Sequence, residues 1–333
     1  MTLSTNLSLL LLAYISYHLI ASLTRARRFK AFARAHNCAE PQDVSGPFPY
    51  GVSTMQRIAR MKVTDEDFLD NILGEDFANA HTVQKTVFDG TKLISTIEPT
   101  NLQAMLATQF HDFETGHRRR QIFGPLLGKS IFTSDGSFWE HSRALFRPQF
   151  SRENINDLES TDKACAALVT AVGAPDAEGW TPGVALQPLL YRFTLDTATD
   201  FLFGESVESQ TAAMNAERGL PPSEGTLPGS KEFVDDMEHA NQKMVVRLRL
   251  QSLYWLGDGF KFRKATRTIR SFTDTFVKKA LAYAAESKPG QRKQHGLLSA
   301  LVVQTKDREE LASQTLGECS APLHHSLYAS VWP

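Results

Sequence analysis

Residues Gln187–Phe203 place Leu189, Leu190, Phe193, Leu195, Ala198, Phe201 and Leu202 nearly all the way round a helix. A helix that is apolar on every face has to be covered on every face, so this one predicts a larger helical body around it. Gly204 stands where such a helix would end, since glycine adopts the left-handed terminating conformation without steric cost. The 333-residue chain has further helices to offer. Periodicity predicts Ser53–Phe77, Asn101–Phe110, Asn154–Val172, Lys231–Trp255, Phe262–Ala285, Gly296–Thr305 and Asp307–Leu316, the last opened by Asp307 with Glu310 three residues on. Thr82–Phe88 and Lys92–Ile97 are β-prone runs across Asp89-Gly90-Thr91, a hairpin signal. The expected fold class is mainly α with a small β hairpin near the N-terminus.

Three stretches read as irregular. Pro41, Gly46, Pro47, Pro49 and Gly51 make a stiff connector, and 215–230 with its glycines and prolines is a surface excursion. Phe113–Lys129 reads as a loop with a basic triplet, Arg118-Arg119-Arg120, that a solvated surface accounts for. Lys and Arg at 36 against Asp and Glu at 37 leave no basic excess, so no nucleic-acid partner is expected. Cys38, Cys165 and Cys319 are too few and scattered for a disulfide framework or a structural zinc site.

Leu3–Leu23 contains no Asp, Glu, Lys or Arg, and as a helix it would be about 30 Å long, the thickness of a bilayer's hydrocarbon. Arg25, Arg27, Arg28, Lys30 and Arg34 follow it and no basic residue precedes it. The expectation is an uncleaved transmembrane anchor with the main body on the cytoplasmic side, partnered by the lipid bilayer.

The chemistry-bearing pair lies in Phe123–Phe150. Asp135 is a candidate N-cap, Pro148 ends the helical run, and between them Trp139 and Arg143 stand one turn apart on one face. An indole N–H and a guanidinium fork are both donors only, a receptor for a carboxylate. A core aromatic beside a solvated charge would have the same spacing. Nucleophile elbows, phosphate loops, H-E-x-x-H and C-x-x-C are absent from the sequence. Cys319 with His324 and His325 lacks a converging fourth ligand, so no metal site is assigned.

Leu127-Gly128-Lys129-Ser130-Ile131-Phe132, then Asp135-Gly136, Trp139, Arg143 and Arg147-Pro148-Gln149-Phe150, stand behind an anchor, a hinge and a hairpin. That order resembles the N-terminal part of a microsomal cytochrome P-450, the haem-thiolate monooxygenases. The phrasing DGSFWEHSRALFRPQF is closest to the fungal branch that hydroxylates n-alkanes and fatty acids, and Phe193-Thr194-Leu195-Asp196 with Phe201-Leu202-Phe203-Gly204 resembles the family's fifth long helix. The resemblance implies haem as cofactor, with Trp139 and Arg143 donating to a propionate. It implies Phe123 and Leu126 as substrate contacts, and the helices near 231–285 as a lid over the substrate channel. It also implies a hydrophobic substrate, an NADPH-dependent reductase as electron source and the endoplasmic reticulum membrane as location.

The resemblance stops at Leu316. The oxygen-activating A/G-G-x-D/E-T-T pattern, the E-x-x-R pair and the F-x-x-G-x-R-x-C-x-G loop that supplies the axial thiolate are not in the chain. Gly317 and Pro322 are expected to break the helix there, with residues 317–333 a non-family tail of out-of-frame or intron-derived character. The division expected is therefore 1–24 anchor, 25–52 basic and proline-rich linker, 53–316 the N-terminal portion of a cytochrome P-450 domain, and 317–333 tail. No catalytic residue is assigned, and the expectation is a truncated, inactive chain. The rival expectation is a non-catalytic, membrane-anchored helical protein that binds a partner or a lipid.

Overall fold

The computed structural model describes residues 3–64, 74–87, 90–150, 158–181, 183–221, 227–286 and 296–330. The chain opens with α1 (Leu3–Ala35) and α2 (Val52–Thr64), then a helical turn at Glu75–Phe77. The middle of the expected Ser53–Phe77 helix, 65–73, lies outside the described residues, as do 88–89 in the hairpin turn, 151–157, 182, 222–226 and 287–295.

The hairpin is present: β2 (Thr82–Thr86) and β3 (Lys92–Thr96) pair antiparallel with Val83 opposite Ser95 and Gln84 opposite Ile94. A third strand, β1 (Gln42–Asp43), joins β2 in parallel from within the proline-rich connector. Two residues carry no alternation, so no period could announce it. Asp76, buried, binds Arg57 at 2.9 Å and Lys85 at 3.0 Å, which ties α2 and β2 to one carboxylate.

α3 (Pro99–Gln103) continues into a π-helical turn, Ala104–Thr108, and a 3-10 turn, Phe110–Asp112. The stretch read as a loop, Phe113–Lys129, is corrected: it holds a helix, α4 (Gly116–Leu127), with Pro125 inside it. Gly124 and Pro125 mark a break by local preference, but Ile122, Phe123, Leu126 and Leu127 are all buried, and tertiary packing overrides that preference. The basic triplet is not simply solvated either, since Arg119 Nε donates to the Phe132 carbonyl at 2.7 Å and Arg118 Nη1 to Thr91 at 3.1 Å.

α5 (Gly136–Phe146) ends just before Pro148 and passes into a 3-10 turn, Arg147–Phe150. α6 (Glu159–Val172), α7 (Leu186–Phe203) and α8 (Ser209–Glu217) follow. α7 is closed by Gly204 at φ 77°, as expected. Its enclosure is only partial, because Tyr191, Leu195, Leu202 and Phe203 are buried while Leu186, Leu190 and Phe201 are exposed. Asp196 on α7 accepts from the Ser209 and Gln210 backbone amides at 2.6 and 3.1 Å, capping α8 from a neighbouring helix. α9 (Ser230–Leu250) and α10 (Phe260–Glu286) form the long helical pair, joined through a 3-10 turn at Gln251–Gly257.

α11 (Leu297–Gln304) leads to α12 (Arg308–Ser330). Asp307 caps α12 through the Glu309 and Glu310 amides, at 2.9 and 3.3 Å. The break expected at Gly317 and Pro322 is corrected, for α12 runs through both. Gly317 is where that helix passes closest to the 130–133 turn, since a Cβ there would lie 3.1 Å from Ser130 Oγ and 3.3 Å from Phe132. The core gathers Leu195, Phe203, Phe233, Met237, Phe262, Ile269, Leu301 and Leu311 from α7, α9, α10, α11 and α12.

The expected transmembrane span is also revised. α1 is a continuous helix whose described side chains are nearly all exposed. Among the described residues no helix is long and apolar enough to cross a membrane. Tyr14, Ser16, Tyr17, His18, Ser22 and Thr24 interleave with the leucines and isoleucines, and the arginines begin at Arg25.

Candidate functional site: the outer face of α5

The side chains of α5 divide sharply. Ser142, Leu145 and Phe146 are buried, and beside them Trp139 is half-buried and Arg143 exposed at the more open edge of the helix. The buried side is fastened to α12 by one residue. Gln314 Nε2 donates to Ser142 Oγ at 2.5 Å, and Gln314 Oε1 accepts from the Ile131 amide at 3.0 Å. His141 Nε2 lies 3.0 Å from Glu310 Oε1 on the same helix, which gives His141 a role in packing. Lys129 Nζ sits 3.8 Å above the Phe138 ring.

On the open side the Arg143 guanidinium lies 5.3 Å from the Trp139 ring centroid, and the Phe110 ring lies 5.0 Å from the same indole at a 39° tilt. Phe110, indole and guanidinium thus form a stack that holds the cation in place. Among the described residues no carboxylate pairs with Arg143 and no acceptor meets the Trp139 N–H. A positioned cation without an anion, beside an indole donor, fits the carboxylate of a haem propionate. The structure therefore brings the two sequence-predicted cofactor residues together on an accessible face.

Asp135 occupies the N-cap position of α5 with extended backbone, as expected, but its carboxylate caps another helix. It accepts from Thr115 N and Oγ1, both at 2.8 Å, and from Gly116 N at 3.0 Å, at the start of α4. Burial alone would raise this carboxyl; the three donors outweigh it and hold it below the usual carboxylate range. α4 and α5 are locked together at this one residue.

The predicted substrate contacts sit elsewhere. Phe123 and Leu126 are buried in the main core, with the Arg119 guanidinium 5.1 Å above the Phe123 ring. A cleft of about 890 Å³ opens between α6, α7 and α8, lined by Asp196, Asp200, Phe201 and Glu208 among others. None of Phe123, Leu126, Trp139 and Arg143 lines it.

A haem iron of this type needs a thiolate. Cys319 is fully buried in the core, where burial pushes its thiol up to about 12, and it lacks the F-x-x-G-x-R-x-C-x-G loop around it. The donor set here fits the propionate side of a haem and not the iron. Phe110, Gln314 and the capping of α4 by the Asp135 carboxylate were missed by sequence reasoning. Phe110 had no signal because the π-helical turn displaces it from the face its sequence position implies.

Comparison with known proteins bears on the family. The family model described as Cytochrome P450 matches residues 81–324. "Cytochrome P450 monooxygenase g430" of Fusarium sp is 34% identical over 312 residues, 91% of this chain and 53% of that protein. "Cytochrome P450 52A12" of Debaryomyces hansenii is 35% identical over 317 residues, 92% of this chain and 57% of that protein. "Cytochrome P450 52A4" of Candida maltosa is 34% identical, covering 81% and 49%. The chain thus spans about half the length of the curated relatives it matches. The crystal structure of the cytochrome P450DA heme domain superposes with a TM-score of 0.59 at 15% identity, over 85% of this chain and 56% of that one. That likeness concerns the fold. With the family model spanning most of the chain, the chain belongs to the cytochrome P450 family.

Proposed function

We propose that this chain supplies the propionate-binding side of a haem monooxygenase that hydroxylates a hydrophobic substrate of the n-alkane or fatty-acid type. The haem supplies O₂ activation when bound with its thiolate, and an NADPH-dependent reductase supplies the electrons. Similarity to the 52A relatives supports the substrate class. The observation that carries the reading is the Arg143 guanidinium stacked on Trp139 with no anion partner among the described residues. Arg143 and Trp139 orient the haem by binding one propionate, and the Gln314–Ser142 bridge keeps their helix from rotating away from it. A charge-assisted hydrogen bond of this kind contributes roughly 1.5–3 kcal/mol, enough to orient a cofactor and not to retain it alone.

The 333 residues contain no axial-cysteine loop, so the chain by itself is proposed to lack hydroxylase activity. Titrating the full chain with haemin tests both claims. Arg143→Ala and Trp139→Phe are expected to weaken haemin binding by tenfold or more, the equivalent of one such bond. The reduced, carbon monoxide-treated sample is expected to show no thiolate-type Soret band. Unchanged binding in both variants would overturn the propionate assignment, and a thiolate-type band would overturn the inactivity.

Membrane association at the endoplasmic reticulum, body on the cytoplasmic side, is the proposed setting. It is supported by the exposed apolar side chains of α1 and by those at the tip of the α9–α10 pair. The same exposed residues favour a second reading, a non-catalytic helical protein that docks on lipid. A chain that binds vesicles but leaves haemin unbound at micromolar concentration would select it.

A further inference from the structure

Pro125 has no N–H, so the Gln121 carbonyl one turn earlier in α4 loses the donor that every interior helical carbonyl normally has. The structure fills that vacancy from another helix. Arg247 of α9, fully buried, donates from Nη2 to the Gln121 carbonyl at 2.6 Å and from Nε to the Ile122 carbonyl at 2.8 Å. Its remaining Nη1 pairs with Asp258 in the turn that joins α9 to α10. The guanidinium carbon lies 4.9 Å from the Tyr254 ring centroid and 5.3 Å from that of Phe262, and Tyr254 OH donates to the Gln121 side chain at 2.9 Å.

The surrounding backbone is shaped to this one side chain. A Cβ on Gly257 would lie 3.0 Å from Arg247 Cγ, so the turn passes this side chain closely. Gln251 holds a left-handed φ of 52° and accepts from Arg118 of α4 at 3.2 Å, a second tie between the same two elements. A buried guanidinium is tolerated only when its charge and its nitrogens find partners, and here two carbonyls and one carboxylate give each nitrogen one.

We infer that Arg247 is a positioning residue that replaces the proton donor removed by Pro125 and clamps α4 to the tip of the α9–α10 pair. Through that clamp the tip sets where Phe123, inside the Gln121–Pro125 turn, and Leu126, just after it, lie. Its bearing on substrate selection rests on the monooxygenase reading; the clamp itself does not.

The test uses the full chain without haem, so its outcome is independent of that reading. Amide hydrogen exchange is followed in Arg247→Ala, Arg247→Lys, Pro125→Ala and the double variant Pro125→Ala/Arg247→Ala. Arg247→Ala is expected to speed exchange across 119–127 by roughly tenfold to hundredfold, the loss of a charge-assisted hydrogen bond, while α7 keeps its protection. Arg247→Lys, which keeps the charge but cannot reach both carbonyls, is expected to recover only part of it. Pro125→Ala returns a backbone donor to Gln121, so the Arg247→Ala effect is expected to shrink in that background. Equal effects in both backgrounds, or loss of protection spread evenly over the molecule, would overturn the clamp. Should Arg247→Ala not fold, Asp258→Asn, which leaves both carbonyl bonds in place, is expected to loosen the tip more than α4; the reverse order also overturns it.

Discussion

Glu318 stands beside Cys319 on α12, and burial pushes its carboxyl up to about 7. A raised folded-state value means that folding favours the neutral acid. Its contribution is therefore whole below the ordinary value near 4.5 and is lost as pH rises through 7. Glu318→Gln removes the charge at every pH, so its melting temperature is expected to match the parent near pH 4 and exceed it at pH 8. Parallel melting curves for the two proteins across that range would show that the carboxyl is solvated. Single residues were legible in the sequence when their chemistry was local. Trp139 and Arg143 are one helical turn apart, and the contact between their guanidinium and indole needs only that turn. Arg247 was not legible, because its meaning comes from carbonyls more than a hundred residues away and from a proline that reads as a helix break.

Among the elements, the pair α4–α5 depends most on one side chain. Asp135 gives its carboxylate to Thr115 and Gly116, and its value is held below the ordinary carboxylate range, the opposite shift to that of Glu318. Its contribution is present above about pH 4 and is lost as pH falls through the depressed value. Asp135→Ala is expected to cost about 1 kcal/mol at pH 7, the usual value of a lost cap, and to fray the first turn of α4. Melting followed from pH 7 downward checks it, since the gap between variant and parent should narrow as the pH falls below the ordinary carboxylate range. Helix positions were legible because burial follows the 3.6-residue period, as with α9, α10 and the start of α12. α4 escaped because its glycine and proline speak for a loop, and only its contacts speak for a helix. β1 escaped because it is a two-residue ladder made by β2.

For the whole molecule, the distribution of exposed apolar surface matters most. Trp255, Leu256 and Phe260 are 56%, 58% and 82% exposed at the tip of the α9–α10 pair, followed on α10 by Lys261, Arg263 and Lys264. Apolar side chains backed by cations suit a surface of anionic lipid. Vesicles containing phosphatidylserine are expected to co-float with the chain, and replacing all three apolar residues by Ser is expected to weaken that binding several-fold at fixed lipid. Unaltered flotation would leave α1 as the sole attachment. Mainly helical architecture was legible at this scale from the helical periods, and the family only through the resemblance carried by the motifs of Leu127–Phe150. The degree of enclosure was not, for the sequence of α7 gives no sign that Leu186, Leu190 and Phe201 stay exposed.

α1 carries a mechanical consequence. Unbroken from Leu3 to Ala35, it is a rod about 50 Å long, and the part beyond Leu23 accounts for about 18 Å of it. The arginines therefore sit on a stiff spacer and not on a flexible leash. The first change of direction comes at Asn37, with a left-handed φ of 52°, where the Cys38 amide closes back onto the Ala33 carbonyl at 2.8 Å. Wherever Leu23 is held, the body is carried at a set stand-off height, and it tilts about that corner.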